Sequence, residues 1–492
     1  MSNVRHWCGK IITAFVLFLV VIGTDSASVR GADDFSNAVD ISVNVDVNGN
    51  VNKGFASEQN YYRFTLQEDG YVVLNISNPQ QKDSKAYWSV YLYNSEYKQL
   101  CGAISVYGNK TSATSAEIGL GAGTYYVKIN SAISYQAAST DVYTLNVNFT
   151  ASTDWEKELN DNFTNATEIL INHAYCGSIT RGFSTESDYY KFVTDKDGYV
   201  TLNFSNPLQG HSNQAWYMYL YNENFEELCN QPVFGNVSAT KSPTIGIKSG
   251  IYYVKVLSPV SYEAVSTDTY TISAGYTASD VWEKEFNNDF TTANMIQLNT
   301  EYHGVVSAGY SYEKDYFIVS INKAGTYAVE IKTPNLKDSG NYWCMHLYGG
   351  SYEELANVNI YGNQTLHKIT KTLSAGTYYI RVNSSLGYTA ASTEQYSVKV
   401  SEVKTDKSIG NLKVTAKKNK KTLTIKTISN AKVKISCDKK IFKNGKKTCT
   451  VYTNSKGNVS VKLPSKLKAG TKIKVTVSRA GYKTRTVTIT VK

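Results

Sequence analysis

The sequence predicts an all-β protein made of tandem β-sandwiches, and two patterns carry that reading. The first is period-two alternation. Trp88, Val90 and Leu92 alternate with Ser89, Tyr91 and Tyr93; Trp216, Met218 and Leu220 with Tyr217, Tyr219 and Tyr221; Trp343, Met345 and Leu347 with Cys344, His346 and Tyr348. Such alternation buries one face of a strand, so the Trp/aliphatic positions are expected in the core. The second is a threefold repeat. Residues 135–143, 262–270 and 388–396 spell YQAASTDVY, YEAVSTDTY and YTAASTEQY, at spacings of 127 and 126 residues. A period of that size fits autonomous domains in tandem rather than a solenoid. Tandem copies favour multivalent binding over chemistry.

In chain order, residues 1–32 read as an export signal. Arg5 and Lys10 give a basic start, residues 11–23 an apolar run short for a membrane span, and Ser26, Ala27 and Ser28 follow. An uncleaved anchor is the alternative. Cys8 precedes the apolar run, which argues against a lipoprotein signal, and no later stretch is long and apolar enough to span a membrane. Three β-sandwich repeats follow, at residues 33–152, 153–279 and 280–402. Their strands GTYYVKI (123–129), GIYYVKV (250–256) and GTYYIRV (376–382) are entered through small or Gly-rich turns. Gly108-Asn109, Gly235-Asn236 and Gly362-Asn363 mark turns in register. Many short strands without an amphipathic helix argue a sandwich. Residues 402–408 read as a linker. Residues 409–492 alternate Val433/Ile435, Val459/Val461, Ile473/Val475/Val477 and Val487/Ile489/Val491 with Lys and Thr, which predicts a smaller β-sandwich with lysines outward.

Charge divides the chain. Residues 401–492 hold 25 Lys+Arg against 3 Asp+Glu, a net +22, whereas the remainder is −12. A split of this size suggests two roles in one molecule. The basic tail is expected to meet a polyanion, with anionic cell-wall polymer or envelope lipid as the nearest candidate for an exported bacterial protein. No specific nucleic-acid recognition motif is present; Lys also serves simply to protect edge strands. Cysteines are too few for a disulfide framework. Cys437 and Cys449 flank a Lys/Gly-rich loop as a candidate hairpin disulfide, and Cys176 and Cys229 share the second repeat as a further possible pair.

Residues 155–163 (WEKELNDNF) with Ala166, then Gly177, Asp188-Tyr189-Tyr190-Lys191-Phe192, Gly198, residues 250–256 and Tyr270-Thr271-Ile272 resemble, in order, the bacterial pre-peptidase C-terminal domain. The resemblance covers all three repeats and extends to the collagen-binding domains of clostridial collagenases. It implies jelly-roll-type β-sandwiches appended to secreted proteins, without a protease domain here. The tail, through residues 431–435, 457–464 and 467–471, resembles bacterial immunoglobulin-like (Ig-like) domains.

Calcium is the cofactor this pattern suggests. Glu156, Glu158, Asn160 and Asp161 place four oxygen side chains within six residues, and Glu186 and Asp188 stand at the strand the family sets nearby. Calcium takes six to eight oxygens, several of them carboxylates. The third repeat offers Glu283, Glu285, Asn287, Asn288, Glu313 and Asp315; Asn288 in place of Asp161 removes one charge and is expected to weaken affinity. The first repeat keeps Asp33 and Asp34 but has Asn60 where the others have the strand Asp, and is expected to be poorer still. An acidic linker with turn-capping Asn/Asp is the alternative. Tyr91, Tyr93, Tyr219, Tyr221 and Tyr348 lie opposite the core positions and form a candidate ligand-binding stripe; β-propensity alone also enriches strands in Tyr. No H-E-x-x-H, G-x-S-x-G or P-loop occurs, and the six His do not align between repeats. The pattern therefore predicts a secreted, cell-surface-associated, non-enzymatic binding or adhesion protein whose repeats engage an extracellular protein or polysaccharide. A structural or auxiliary subunit of a partner enzyme is the alternative.

Overall fold

The structure is a computed structural model that describes residues 34–51, 59–81, 84–131, 141–180, 186–258, 266–306, 313–384, 392–403 and 407–492. The expected export signal, Asp33, and residues 135–140, 262–265 and 388–391 of the repeated block lie outside the described residues. Among the described residues the regular structure is almost wholly β-strand, and no helix is long and apolar enough to cross a membrane. The all-β sandwich expectation is met.

In the first repeat one sheet runs Val39–Asp40, Gln59–Leu66, Gly123–Ser131, Ala86–Tyr93, Ile104–Tyr107. The facing sheet sets Tyr143–Ala151 between Val47–Gly49 and Gly70–Ser77. The second repeat reproduces both: Thr167–Glu168, Ser187–Thr194, Gly250–Leu257, Gln214–Tyr221, Glu227–Phe234 on one side, with Tyr270–Ala278 between Ala174–Gly177 and Gly198–Ser205 on the other. The third has the same five-stranded order, Asn294–Ile296, Lys314–Ile321, Gly376–Ser384, Asn341–Tyr348, Glu354–Tyr361, and Glu301–Gly304 pairs with Tyr396–Glu402.

The alternation sorts as the sequence predicts. Trp88, Trp216 and Trp343 are fully buried, as are Val90, Leu92, Met218, Leu220, Met345 and Leu347. A break in register immediately precedes each Trp, a bulge that turns the large ring into the core. The Gly-Asn turns close as expected, for example by Val237 N donating to Phe234 O at 3.1 Å.

The basic tail is a β-sandwich of its own. A five-stranded sheet, Lys407–Ser408, Tyr482–Thr490, Lys472–Arg479, Lys432–Cys437, Thr448–Tyr452, faces a three-stranded one, Lys413–Ala416, Thr422–Lys426, Asn458–Lys462. Val433, Ile435, Ile473, Val475 and Val477 fill its core, while Lys432, Lys434, Lys472 and Lys474 are exposed. Two disulfide expectations fail. Cys437 and Cys449 are both free, because Cys449 stands opposite Ile435 and Cys437 lies two residues further along the strand. Such diagonal neighbours are about 7–8 Å apart, beyond the usual Cα reach of a disulfide. Cys229 is a free, buried thiol and so does not pair with Cys176.

Candidate metal centre

The segment that opens the second repeat crosses the start of the strand Ser187–Thr194 and places its acidic side chains against it. Ligand oxygens of Glu156, Glu158 and Asp188 lie within 4.8 Å of one another. Glu156, Asn160, Glu186 and Asp188 are fully buried, and Glu158 is half-buried. In the third repeat Glu283, Glu285 and Asp315 form the same triad, with Asn287 and Glu313 also buried. Asp161 and its counterpart Asn288 stand outside the triads, and Asn288 Oδ1 instead accepts from Lys314 N at 3.2 Å. The peptides Glu158-Leu159 and Glu285-Phe286 are both cis.

Neutral donors aim most of these carboxylates. Glu156 Oε1 accepts from Ser178 N at 2.6 Å, and Oε2 accepts from Tyr190 Oη at 2.9 Å and Asn160 Nδ2 at 3.2 Å. Asp188 Oδ2 accepts from the Tyr270 hydroxyl. Thr180 Oγ1 bridges Glu158 Oε1 at 3.2 Å and Glu186 Oε1 at 2.8 Å, and Thr180 N also donates to Glu186 at 2.8 Å. In the third repeat Val305 N donates to Glu283 Oε1 at 2.5 Å, and Tyr396 donates to Glu283 Oε2 at 3.2 Å and to Asp315.

Several buried oxygens remain without a hydrogen-bond donor: Asn160 Oδ1 and Asp188 Oδ1 in the second repeat, and both oxygens of Glu285 with Asn287 Oδ1 and Asp315 Oδ1 in the third. Burial pushes the Glu156 carboxyl up to about 7 and Glu283 up to about 8, against hydrogen bonds that pull both down. Burial, and then the neighbouring carboxylates, drive Asp188, Glu285 and Asp315 well above the usual carboxylate range. Buried charge without a counter-charge costs several kcal/mol. An all-oxygen set with orphaned acceptors fits a hard divalent cation such as calcium, and lacks the nitrogen or sulfur that zinc favours.

The first repeat is built differently. Asn60 takes the place of Asp188, is buried, and donates from Nδ2 to Tyr143 Oη at 2.7 Å and to Asn50 O at 2.9 Å. Asp34 is exposed and accepts from Ser36 Oγ at 2.6 Å and Asn37 N at 3.0 Å, a local turn cap. The acidic-linker reading thus describes Asp34, and the caps at Asn162 and Asp289, but not the buried triads.

Against this geometry the comparisons are modest. No family model matches the chain. Over 234 residues, 46% of the chain, it is 26% identical to Collagenase ColT of Clostridium tetani (strain Massachusetts / E88), and the chain spans only 22% of that collagenase's length. Among solved structures it is similar to the pre-peptidase C-terminal domain of collagenase from Bacillus anthracis, at 20% identity and a TM-score of 0.18, over 22% of this chain and 93% of that one. It is also similar to the BSP domain of a biofilm associated protein, at 11% identity and a TM-score of 0.15, over 96% of this chain and 99% of that one.

Sequence reasoning missed the tyrosines. Tyr143, Tyr270 and Tyr396, each fully buried, are the last residue of the threefold block; the spelling was visible but the role was not. The serines of that block fix turns, Ser266 Oγ accepting from Asp268 N at 3.1 Å and Ser392 Oγ from Glu394 N at 3.2 Å.

The tyrosine stripe is corrected in part. Tyr348 is buried, and Tyr93 and Tyr221 are half-buried. All three are clasped by a phenylalanine of the opening segment: Phe35 meets Tyr93 at 5.1 Å, Phe163 meets Tyr221 at 5.3 Å and Phe290 meets Tyr348 at 5.2 Å. The same phenylalanines stack on Tyr97, Phe225 and Tyr352 at 4.5, 4.3 and 4.4 Å. Those three stand at φ of 60, 63 and 67°, a conformation unfavourable for bulky residues that the ring contact helps to hold. Tyr91 and Tyr219 remain half-buried outside the clasp, with Lys128 over Tyr91 at 5.5 Å and Lys255 over Tyr219 at 5.9 Å.

Proposed function

We propose that the chain is a secreted, non-enzymatic binding protein of the bacterial cell surface, whose second and third repeats each hold one calcium ion. The observation that carries this reading is the twofold recurrence of a buried carboxylate triad with unsatisfied oxygens. Natural proteins leave few buried polar atoms unpaired, and six such oxygens in two equivalent places call for a cation. Glu156, Glu158, Asp188 and Asn160 Oδ1 would hold it in the second repeat, Glu283, Glu285, Asp315 and Asn287 Oδ1 in the third. Calcium would there neutralise charge and fix the opening segment of each repeat. Glu156, Asp188, Glu283 and Asp315 are buried and hydrogen-bonded, which favours a structural ion over an acid/base pair that must meet substrate.

The repeats would engage an extracellular protein or polysaccharide, and Tyr91 and Tyr219 with their lysines offer the half-exposed aromatic positions for it. The lysine-covered tail would associate with anionic cell-wall polymer. The clasping of Tyr93, Tyr221 and Tyr348 favours a second reading, an auxiliary subunit that spaces a partner enzyme, since that ring surface serves the fold. A matrix-protein and glycan array run with calcium and with chelator tests the first reading; a chain that binds no component in either condition contradicts it.

A further inference from the structure

A cleft of about 630 Å³ lies between the first and second repeats, within the 300–1,000 Å³ typical of ligand pockets. Its wall includes the ring of Tyr71, stacked on Trp155 at 4.5 Å and 28°. Two carboxylates line it, one from each repeat. Glu117 of the first accepts from Thr269 Oγ1 of the second, and Asp268 Oδ2 accepts from Gln209 Nε2 at 2.9 Å. Each carboxylate is thereby oriented and keeps further acceptor capacity. Thr150, Ser152, Thr267 and Thr271 are among the other residues that line it, and among the described residues no lysine or arginine contributes.

We propose that this cleft binds a neutral oligosaccharide. Sugar hydroxyls both donate and accept, which matches carboxylates beside threonine and serine hydroxyls. A pyranose has one apolar face that suits an aromatic ring with a polar surround. The carboxylates, with no cation near them in the lining, repel acidic ligands. The junction between the second and third repeats keeps part of this lining and changes the rest. Tyr199 stacks on Trp282 at 4.5 Å in the same manner. There His303 and Gln395 stand where the first junction has the disulfide-bonded Cys176 and Thr269. The His303 ring lies 5.9 Å from that of Trp282, and Gln395 Nε2 bonds His303 Nδ1 at 2.8 Å. With the lining changed at the second junction, the expected stoichiometry is one oligosaccharide per chain. The site is distinct from the carboxylate triads and from the Tyr91/Tyr219 face.

The test titrates the full chain with neutral trisaccharides of glucose, xylose and N-acetylglucosamine, with trilysine and trigalacturonate alongside, by calorimetry and tryptophan fluorescence. At least one neutral trisaccharide is expected to bind at one site per chain. Thr150→Trp, at an exposed position that fills the cleft, and Tyr71→Leu, which keeps apolar cover on Trp155, should each weaken it at least about tenfold with an unchanged circular dichroism spectrum. The proposal is overturned by no neutral trisaccharide binding up to about 10 mM. Binding that both variants leave intact overturns it too, as does cleft-dependent binding of trilysine or trigalacturonate in place of the neutral sugars.

Discussion

The Tyr270 hydroxyl donates to Asp188 Oδ2, leaving Asp188 Oδ1 buried with no donor. Tyr396 and Asp315 repeat the arrangement in the third repeat. A carboxylate held on one oxygen and open on the other is a ligand already oriented, so a cation need not pay to reorganise it.

Asp188→Asn should separate electrostatics from structure. Without calcium the variant is expected to melt higher than the parent, because the change removes a buried charge. In calcium at about 100 times its Kd, a site gains about 2.7 kcal/mol, a rise of several degrees; the variant should lose the second repeat's share. Differential scanning calorimetry with calcium and with chelator checks both signs. A variant that melts lower without calcium and keeps the full calcium response contradicts the assignment.

Stability should depend on pH in one direction only when calcium is absent. The folded-state values of Glu156 and Glu283 are raised, to about 7 and about 8, above an unfolded value near 4.3. Their contribution is therefore fully present below about pH 4.3 and is lost as pH rises through about 7 to 8. Urea midpoints in chelator should fall from about pH 5 to about pH 8.5, and calcium should flatten the fall. Midpoints that rise over that window in chelator would speak against buried, cation-free carboxyls.

Gly304 has Tyr396 Oη and Glu283 Oε2 in the space a Cβ would need. Gly304→Ala should therefore displace the tyrosine from its carboxylates and lower calcium affinity in the third repeat alone. Isothermal titration should show one of two sites weakened at least about tenfold. Two unchanged sites would remove Tyr396 from the centre.

The clasp can be measured as a coupling. Phe163 and Phe225 stack at 4.3 Å and 28°. A double-mutant cycle of Phe163→Ala and Phe225→Asn should give about 0.5–1.5 kcal/mol. Asn tolerates the positive φ at position 225, so backbone strain does not enter the difference. A coupling near zero would show that the stack holds nothing.

The tail offers a salt-dependent test. Lys432, Lys434, Lys472 and Lys474 are exposed on two paired strands. Their replacement by Gln should weaken binding to polyglycerol phosphate beads, and binding by the parent should fall steeply with added salt. Retention that salt does not change would point away from a charge-driven contact.

Much of the fold was legible because alternation states which face of a strand is wet. Trp88, Trp216 and Trp343 needed only that rule. The site was half legible. Glu156, Glu158 and Asn160 lie close in sequence and announce themselves, but Tyr270 stands 82 residues from Asp188, to which it donates, and the two come together only when the sheets that hold them pack face to face. The outward tyrosines were misjudged for a related reason. A period of two reports one sheet face, and carries nothing about a phenylalanine arriving from the preceding segment to cover the other.

Asn60 and Tyr143 show how the repeats could diverge so cheaply. In two repeats the tyrosine hydroxyl gives its hydrogen to a carboxylate; in the first it receives one from a carboxamide. A hydroxyl can turn either way without its ring moving. Under the proposed calcium reading, Asn60 together with Ser28 and Arg30, which stand where the second repeat has Glu156 and Glu158, would leave the first repeat independent of mineral supply while its neighbours respond. If the second and third repeats hold calcium as proposed, such an array would keep its first link firm in a depleted medium and tighten link by link as calcium returned.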